Sequence, residues 1–163
     1  LGADSLNMET WKAMERLHEE GLIRSIGLSN FMQHHMETIM RRANICPMVD
    51  QIEYHPGFTQ KESVEFCQKN NILVEAWSPL GRGNVLDNPV LKSIAANHGK
   101  SVAQVVIRWV MQTGVLPLVK SVNPSRIKEN IEVFDFELSQ QEMLEIASMK
   151  SDRIGADPDT CDF

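Results

Sequence analysis

The stretch "TQKESVEFCQKNNILVEAWSPLGRG", residues 59–83, decides the fold class, because a helical segment is followed directly by a strand and a loop. Thr59 and Glu62 predict a capping box at the start of the helix. The apolar run "ILVEA" predicts a strand, and the Gly- and Pro-rich residues after Trp77 predict a loop. This succession is typical of an α/β protein.

The same alternation extends in both directions along the chain. Strand-like apolar runs also occur at residues 22–28, 47–52 and 115–119, and helical patterns separate each run from the next. Continuous apolar strands separated by helices indicate parallel βαβ units. The pattern fits either an open doubly wound sheet or four of the eight units of a (β/α)8 barrel, and it does not separate the two. We expect residues 1–163 to form a single unit.

Helix starts give the most specific local signals. At each one, a residue that can cap a helix is followed by Pro at the first helical position, or by Gln or Glu three positions later. The four pairs are Asn88 with Pro89, Ser101 with Gln104, Asn123 with Pro124, and Ser139 with Glu142.

The composition excludes several classes of protein. A chain of 163 residues with 42% hydrophobic content fits a soluble globular unit, and its net charge of -6 argues against non-specific binding to nucleic acid or anionic membranes. Neither a bilayer-spanning run nor a signal peptide pattern is present, so we expect a cytoplasmic protein. Cys46, Cys67 and Cys161 are odd in number and widely separated, which predicts reduced thiols and no metal site.

Polar and aromatic side chains follow the predicted strands. Because ligands of parallel α/β proteins bind at the carboxyl ends of strands, Ser29, Asn30, Gln51 and Trp77 are candidates for one site. The first three can hydrogen-bond a planar amide, and the indole offers a face for an aromatic ring. The alternatives are a turn or cap at Ser29 and Asn30, and a core position for Trp77.

Two segments are suited to phosphate groups. The loop "SPLGRG", residues 78–83, offers backbone N–H groups close to glycines together with the charge of Arg82. Lys120 and Arg126 flank a predicted helix start, where free N–H groups attract anions and cations are disfavoured. A solvated basic face is the alternative, but the unfavourable position of these cations favours an anionic ligand. Together the segments fit a dinucleotide.

Other reactive side chains give weaker signals. His34 and His35 are expected to face solvent at the start of a helix. Glu53, Tyr54 and His55 suggest acid–base catalysis, but neighbours on an extended segment point to opposite sides, so a structural loop is the preferred interpretation. The sequence contains no GxSxG, HExxH, Walker-type or GxGxxG motif.

Four segments together resemble one known family. They are "GLIRSIGLSNF", "VDQIEYHP", "AWSPLGRG" and "VKSVNPSRIKENIEVFDFELSQQEM", and their order and gaps are similar to those of the aldo-keto reductases. The resemblance covers essentially the whole chain. It implies the carboxyl-terminal half of a (β/α)8 TIM barrel, strands 5 to 8, that binds NADPH, or less often NADH. It also implies reduction of aldehydes or ketones to alcohols by hydride transfer.

The resemblance also implies a role for each cofactor-binding residue. Ser29, Asn30 and Gln51 would hold the nicotinamide carboxamide, and Trp77 would stack on the nicotinamide ring. The other residues would contact the nucleotide: Ser78, Leu80, Gly81 and Arg82 at the pyrophosphate, Lys120, Ser121, Asn123 and Arg126 at the adenosine 2′-phosphate, and Glu129 and Asn130 at the adenine.

The family's catalytic Asp, Tyr, Lys and His lie on the first four strands, so no catalytic residue is assigned and Tyr54 is not the proton donor. We therefore expect the chain alone to be inactive towards its small-molecule carbonyl substrate. The alternative is a non-catalytic nucleotide-binding or regulatory module on the same half-barrel. The chain opens without Met, which suggests a piece of a longer protein. A missing amino-terminal half, or a homodimer partner, is expected to cover its open sheet edges.

Overall fold

The computed structural model describes residues 2–161, which form an α/β structure with four parallel strands. The strands are β1 (Gly27–Ser29), β2 (Val49–Glu53), β3 (Leu73–Trp77) and β4 (Leu116–Leu118), and their order in the sheet is β1-β2-β3-β4. The helices are α1 (Ala3–Glu19), α2 (Gln33–Met40), α3 (Lys61–Lys69), α4 (Pro89–His98), α5 (Val102–Gln112), α6 (Pro124–Ile131) and α7 (Gln140–Ala147). All four predicted strands are present. No helix within residues 2–161 combines the length and the apolar character that crossing a bilayer requires.

Strand β1 approaches β2 so closely that only glycine fits at its start. A Cβ atom on Gly27 would lie 2.6 Å from the carbonyl oxygen of Val49, its partner in the parallel register. The same register pairs Ser29 with Gln51. The close approach at Gly27 therefore brings two candidate site residues side by side.

Two compact units can be distinguished, and the first comprises residues 2–52, 61–74 and 158–161 of the described chain. Its core includes Met8, Trp11, Ile26 and Ile39, all at most 3% exposed. The indole Nε1 of Trp11 donates to Glu15 Oε1 and to a backbone carbonyl, so the indole N–H is hydrogen-bonded within the apolar core. All three cysteines lie in this unit as free thiols, as predicted.

The second unit comprises residues 53–60 and 75–157. Helix α5 buries Val105, Val106 and Trp109 in its core, and the ring of Tyr54 stacks on Trp109 with centroids 5.5 Å apart. Strands β3 and β4 pair in parallel, with Trp77 opposite Leu118. This register brings the two chain segments that follow Trp77 and Leu118 to the same end of the strands. The expectation of one unit over residues 1–163 stays a prediction.

The predicted helix caps are confirmed at α4, α5, α6 and α7, where the side chains of Asn88, Ser101, Asn123 and Ser139 accept backbone N–H groups. The capping box at Thr59 is wrong, because α3 begins at Lys61. Gln60 has a φ of 44°, which is not helical, and its side-chain amide donates to the carbonyl of Glu53 at 2.6 Å. A contact with the end of β2, seven positions earlier, therefore sets this boundary.

Candidate functional site

Three polar residues are brought together at the end of β1 and β2 in the first unit. The hydroxyl of Ser29 donates to the carbonyl of Gln51 at 3.2 Å, and the amide Nδ2 of Asn30 donates to Ser29 Oγ at 3.1 Å. The backbone N–H of Asn30 also donates to the Gln51 carbonyl, at 2.9 Å. Asn30 has a φ of 57°, an uncommon conformation that non-glycine residues adopt mostly when they are Asn or Asp. Ser29 and Asn30 thus form a turn, and the hydroxyl and the amide of this turn are exposed. The geometry fits both interpretations of the pair, a structural turn and part of a binding site.

Asp50 is a buried neighbour of this trio that sequence reasoning missed. Its Oδ1 accepts the N–H of Phe31 at 3.4 Å, which ties the end of the turn to β2. Its Oδ2 has no hydrogen-bond partner among the described residues. Burial raises the pKa of Asp50 to about 7, only partly opposed by the Phe31 N–H. An Asp inside the apolar run "PMVDQI" was the signal available in the sequence.

Trp77 ends β3 in the second unit and is half-buried, which differs from the core position considered as its alternative. The edge of its indole faces Gly155, since a Cβ atom on that glycine would lie 2.5 Å from Trp77 Cη2. Ser78 follows with a φ of 51° and turns the chain away from the strand. Trp77 is the last residue of β3, and its stacking role stays a prediction.

The loop at residues 78–83 is folded by its own hydrogen bonds. The N–H groups of Gly81 and Gly83 donate to the carbonyls of Ser78 and Leu80, both at 2.8 Å. The glycine amides are therefore already used, whereas the N–H of Leu80 donates to no atom within residues 2–161. Gly81 and Arg82 both have positive φ values, 56° and 54°, and the Arg82 side chain is exposed. The loop can thus offer the backbone amide of Leu80 and the cation of Arg82.

The basic segment before and within α6 differs from expectation in one respect. Asn123 Oδ1 accepts the N–H groups of Ser125 at 2.9 Å and Arg126 at 3.4 Å, and Pro124 has none to give. The prediction of free N–H groups at this helix start is wrong, because the cap of Asn123 occupies them. Any phosphate at this place would be held by side chains.

The side chains available there are cationic and accessible. Lys120 and Arg126 are exposed, and neither forms an ion pair with another residue in the described part of the chain. Lys128, by contrast, lies 3.7 Å from Glu132. Ser121 Oγ accepts the N–H of Asn123 at 3.1 Å and so fixes the bend before the helix. Glu129 and Asn130 are half-buried near the end of α6.

Glu53 and His55 form a buried pair, with both side chains 0% exposed and Glu53 Oε1 2.9 Å from His55 Nε2. Burial would raise the pKa of Glu53, but the N–H groups of Ile154 and Gly155, together with His55, outweigh it and hold the pKa below its usual value. The pair has no access to a substrate in solution. The structural reading of this segment is therefore favoured over acid–base catalysis.

Tyr54, between these two residues in the sequence, stacks on Trp109. It is 4% exposed, and burial raises the pKa of its hydroxyl, opposed by the side chain of Thr113. A buried phenol with a raised pKa is a poor proton donor. That Tyr54 is not the proton donor stays a prediction.

His34 and His35 share one carboxylate oxygen, Oδ1 of Asp159, at 2.8 Å and 3.0 Å from their Nε2 atoms. The sequence placed both histidines in solvent and did not foresee this cluster in the first unit. The N–H of Met32 donates to His35 Nδ1 at 3.1 Å, so the proton of a neutral His35 ring is on Nε2. A protonated Nε2 cannot ligate a metal, and the cluster fits a hydrogen-bonded contact instead.

Comparison with known proteins gives consistent matches. A family model described as the aldo/keto reductase family matches residues 4–151. The chain is 51% identical over 152 residues to glyoxal reductase of Bacillus subtilis (strain 168), a match that covers 93% of this chain and 55% of that protein. It is 49% identical over 156 residues to the 9,11-endoperoxide prostaglandin H2 reductase of Trypanosoma cruzi (strain CL Brener), covering 93% and 55%. The chain thus spans little more than half the length of these relatives.

Solved structures match the fold over nearly the entire chain. The apo form of Gox0644 has a TM-score of 0.94 and 45% identity, covering 99% of this chain and 60% of that one. A variant of Gox0644 solved in complex with NADPH has a TM-score of 0.92 and 46% identity, covering 96% and 58%. These matches confirm the predicted fold class, in which the chain covers part of a (β/α)8 barrel.

Proposed function

Since the chain belongs to the aldo/keto reductase family, we propose that it is the cofactor-binding half of an NADPH-dependent reductase that converts aldehydes or ketones into alcohols. The observation that carries the proposal is the pair of exposed, ion-pair-free cations Lys120 and Arg126 within the described residues, close after β4. Cations without a protein partner are suited to a phosphate ligand. The NADPH complex of the similar protein Gox0644 supports the choice of cofactor.

The bound nicotinamide would supply the hydride, and residues at the ends of β1, β2 and β3 would bind and orient it. The hydroxyl and amide groups of Ser29, Asn30 and Gln51 suit the carboxamide, which offers both a donor and an acceptor. The half-buried indole of Trp77 suits stacking on a flat ring.

The nucleotide end of the cofactor would be held mainly by charge. The free N–H of Leu80 and the guanidinium of Arg82 fit the pyrophosphate, with Ser78 and Gly81 shaping the loop. Lys120 and Arg126 fit the 2′-phosphate, and the capped bend at Ser121 and Asn123 holds the backbone between them. Glu129 and Asn130 remain the proposed contacts of the adenine. No proton donor is proposed from this chain.

The substrate and the partner are proposals as well. Similar proteins include glyoxal reductase of Bacillus subtilis and methylglyoxal reductase DkgA of Escherichia coli, which supports a small carbonyl compound as substrate. An amino-terminal half-barrel, or a second copy of the chain, would cover the exposed apolar side chains of β4 and α6. An amino-terminal half-barrel would also carry the proton donor.

The proposal is tested by measuring NADPH and NADH affinities of the complete polypeptide and of its Lys120→Ala variant. The unmutated protein is expected to prefer NADPH, and Lys120→Ala to weaken NADPH binding roughly tenfold without changing NADH, because a charge-assisted contact to the 2′-phosphate is lost. Lys128→Ala is the matched control, since its ammonium already pairs with Glu132, the residue after α6. Equal affinities for both cofactors would refute the assignment. Tight NADPH binding without carbonyl-dependent oxidation would favour the non-catalytic module.

A further inference from the structure

Residues 151–155 form a strap that contacts the loop following β2. The N–H of Ser151 donates to the carbonyl of Gly57 at 3.1 Å, and the guanidinium of Arg153 lies 4.9 Å from the centre of the Phe58 ring. A Cβ atom on Gly57 would lie 2.6 Å from the nitrogen of Ser151. The strap is therefore in backbone contact with this loop, and a side chain at position 57 would displace the strap.

The carboxylate of Glu53 anchors the end of the strap. Its Oε1 accepts the N–H of Ile154 at 2.7 Å, and its Oε2 accepts the N–H of Gly155 at 2.8 Å. His55 Nε2 lies 2.9 Å from Oε1 and gives the carboxylate a third polar contact. Charge-assisted bonds of this length to a fully buried carboxylate define the position of the strap closely.

The anchored strap packs against the indole of Trp77. A Cβ atom on Gly155 would lie 2.5 Å from Trp77 Cη2 and 3.0 Å from Cζ2, so the six-membered ring of the indole fills the space where a side chain would be. Real Cβ atoms do not approach other atoms that closely, and the same glycine is held in place by Glu53. Any larger residue at position 155 must displace the ring of Trp77 or break the anchor.

We propose that Gly155 and Glu53 are positioning residues for the stacking face of Trp77. Glu53 fixes the backbone of Gly155. Because Gly155 has no side chain, the indole of Trp77 can pack directly against this backbone, and this contact sets the position of the indole on which the nicotinamide would stack. This inference rests on the proposed function only in its final step, because the contact between the strap and Trp77 exists without a cofactor. Neither residue touches the reacting atoms.

The contact itself is tested by ¹⁹F NMR of the complete polypeptide labelled with 5-fluorotryptophan, with no cofactor added. The Trp77 resonance is assigned with Trp77→Phe. Gly155→Ala and, separately, Glu53→Gln are expected to shift the Trp77 resonance and leave those of the buried Trp11 and Trp109 in place. Gly2→Ala is the matched control, since a Cβ there meets nothing within 4 Å. A Trp77 resonance that both variants leave unmoved would overturn the proposal.

The consequence for the cofactor is tested with a double-mutant cycle on the NADPH dissociation constant. Gly155→Ala is expected to weaken binding about tenfold in the unmutated background, as overpacking at one side chain does. In the Trp77→Phe background, where Cη2 and Cζ2 are absent, the same change is expected to have almost no effect. Equal losses in both backgrounds would mean a general structural role and would refute positioning. If the unmutated protein does not bind NADPH, the proposed function fails, and the ¹⁹F result alone decides whether the strap positions Trp77.

Discussion

Two carboxyl groups on the same strand show how local partners decide the state of a residue. Asp50 and Glu53 are both 0% exposed. Glu53 receives two backbone N–H groups and the Nε2 of His55, and its pKa is lowered. Among the described residues, Asp50 receives only the N–H of Phe31, and burial raises its pKa to about 7. Burial disfavours the charged form of both side chains and raises the pKa, whereas donated hydrogen bonds lower it. The number of hydrogen-bond donors therefore determines whether the pKa of each carboxyl is raised or lowered.

Asp50→Asn is expected to make the protein more stable at pH 8 relative to the unmutated form, and to have little effect near pH 4. Folding raises the pKa of Asp50 from 3.8 to about 7. The contribution of Asp50 to the free energy of unfolding is therefore fully present below pH 3.8 and is lost as the pH rises towards 7. Asn keeps an acceptor for the Phe31 N–H and never ionises. Chemical denaturation at several pH values measures the difference, which we expect to reach a few kcal/mol. The exposed Asp152→Asn is the control, and a pH-independent difference for Asp50→Asn would contradict the raised pKa.

Glu53→Gln is expected to show the opposite trend. Because the folded-state pKa of Glu53 lies below its ordinary value of 4.5, its stabilisation is present above that pH and is lost as the pH falls through the lowered value. The variant should be less stable than the unmutated protein at pH 7, by about 1–3 kcal/mol, because Gln cannot accept both N–H groups of the strap. The deficit should shrink in acid. Denaturation curves from pH 7 down to pH 3 measure it, and a deficit that grows in acid would show that Glu53 is not the anchor.

At the scale of elements, α6 carries Arg126, one of the two cations proposed to bind the 2′-phosphate, but buries none of its own residues. Its end is held instead by side chains from or beside α5. Gln104 Nε2 donates to the carbonyls of Glu129 at 3.1 Å and Glu132 at 3.0 Å, and Lys100 Nζ also reaches the Glu132 carbonyl at 3.3 Å. The carbonyls at a helix end lack partners within the helix, so these contacts complete α6.

Gln104→Ala is therefore expected to loosen α6 selectively. Hydrogen exchange of the α6 amides should accelerate about tenfold or more, since each lost bond to a helix-end carbonyl removes on the order of 1 kcal/mol from local stability. Binding of NADPH should weaken although no cation has been removed. Gln141→Ala on α7, whose exposed amide bonds Glu145 on the same helix, serves as the control. Exchange that accelerates equally in α7 would indicate general destabilisation instead.

The elements whose starts depend on the local capping pattern were predictable from the sequence, and those fixed by contacts outside that pattern were not. Asn88, Ser101 and Ser139 cap their helices as the local pattern required. The start of α3 was missed because Gln60 bonds the Glu53 carbonyl at the end of β2, a contact that the capping pattern does not reveal. The strap was missed for the same reason, since nothing local to Gly155 reveals a carboxylate about a hundred positions earlier or an indole that needs its space.

At the scale of the molecule, the outer surface of β4 and α6 is apolar where a folded protein in water would normally be polar. Ile131 and Phe134 are 67% and 68% exposed, and they border a groove of about 320 Å³ that Leu116 and Ile127 also line. A contiguous apolar groove of this kind beside a strand is typical of a surface that another protein segment covers. The strand β4 is also the last in the order of the sheet.

The purified 163-residue chain is accordingly expected to self-associate through this surface when no other half-barrel is supplied. Sedimentation at tens of micromolar should show dimers or larger species, because burying two such faces removes apolar area from water. The double variant Ile131→Glu with Phe134→Glu should sediment as a monomer, since association would then bury four unpaired carboxylates. Leu144→Glu, at an equally exposed apolar residue on α7 that does not line the groove, should leave the association unchanged. A monomeric unmutated chain, or equal dissociation by Leu144→Glu, would show that the β4 and α6 surface is not the one that needs a partner.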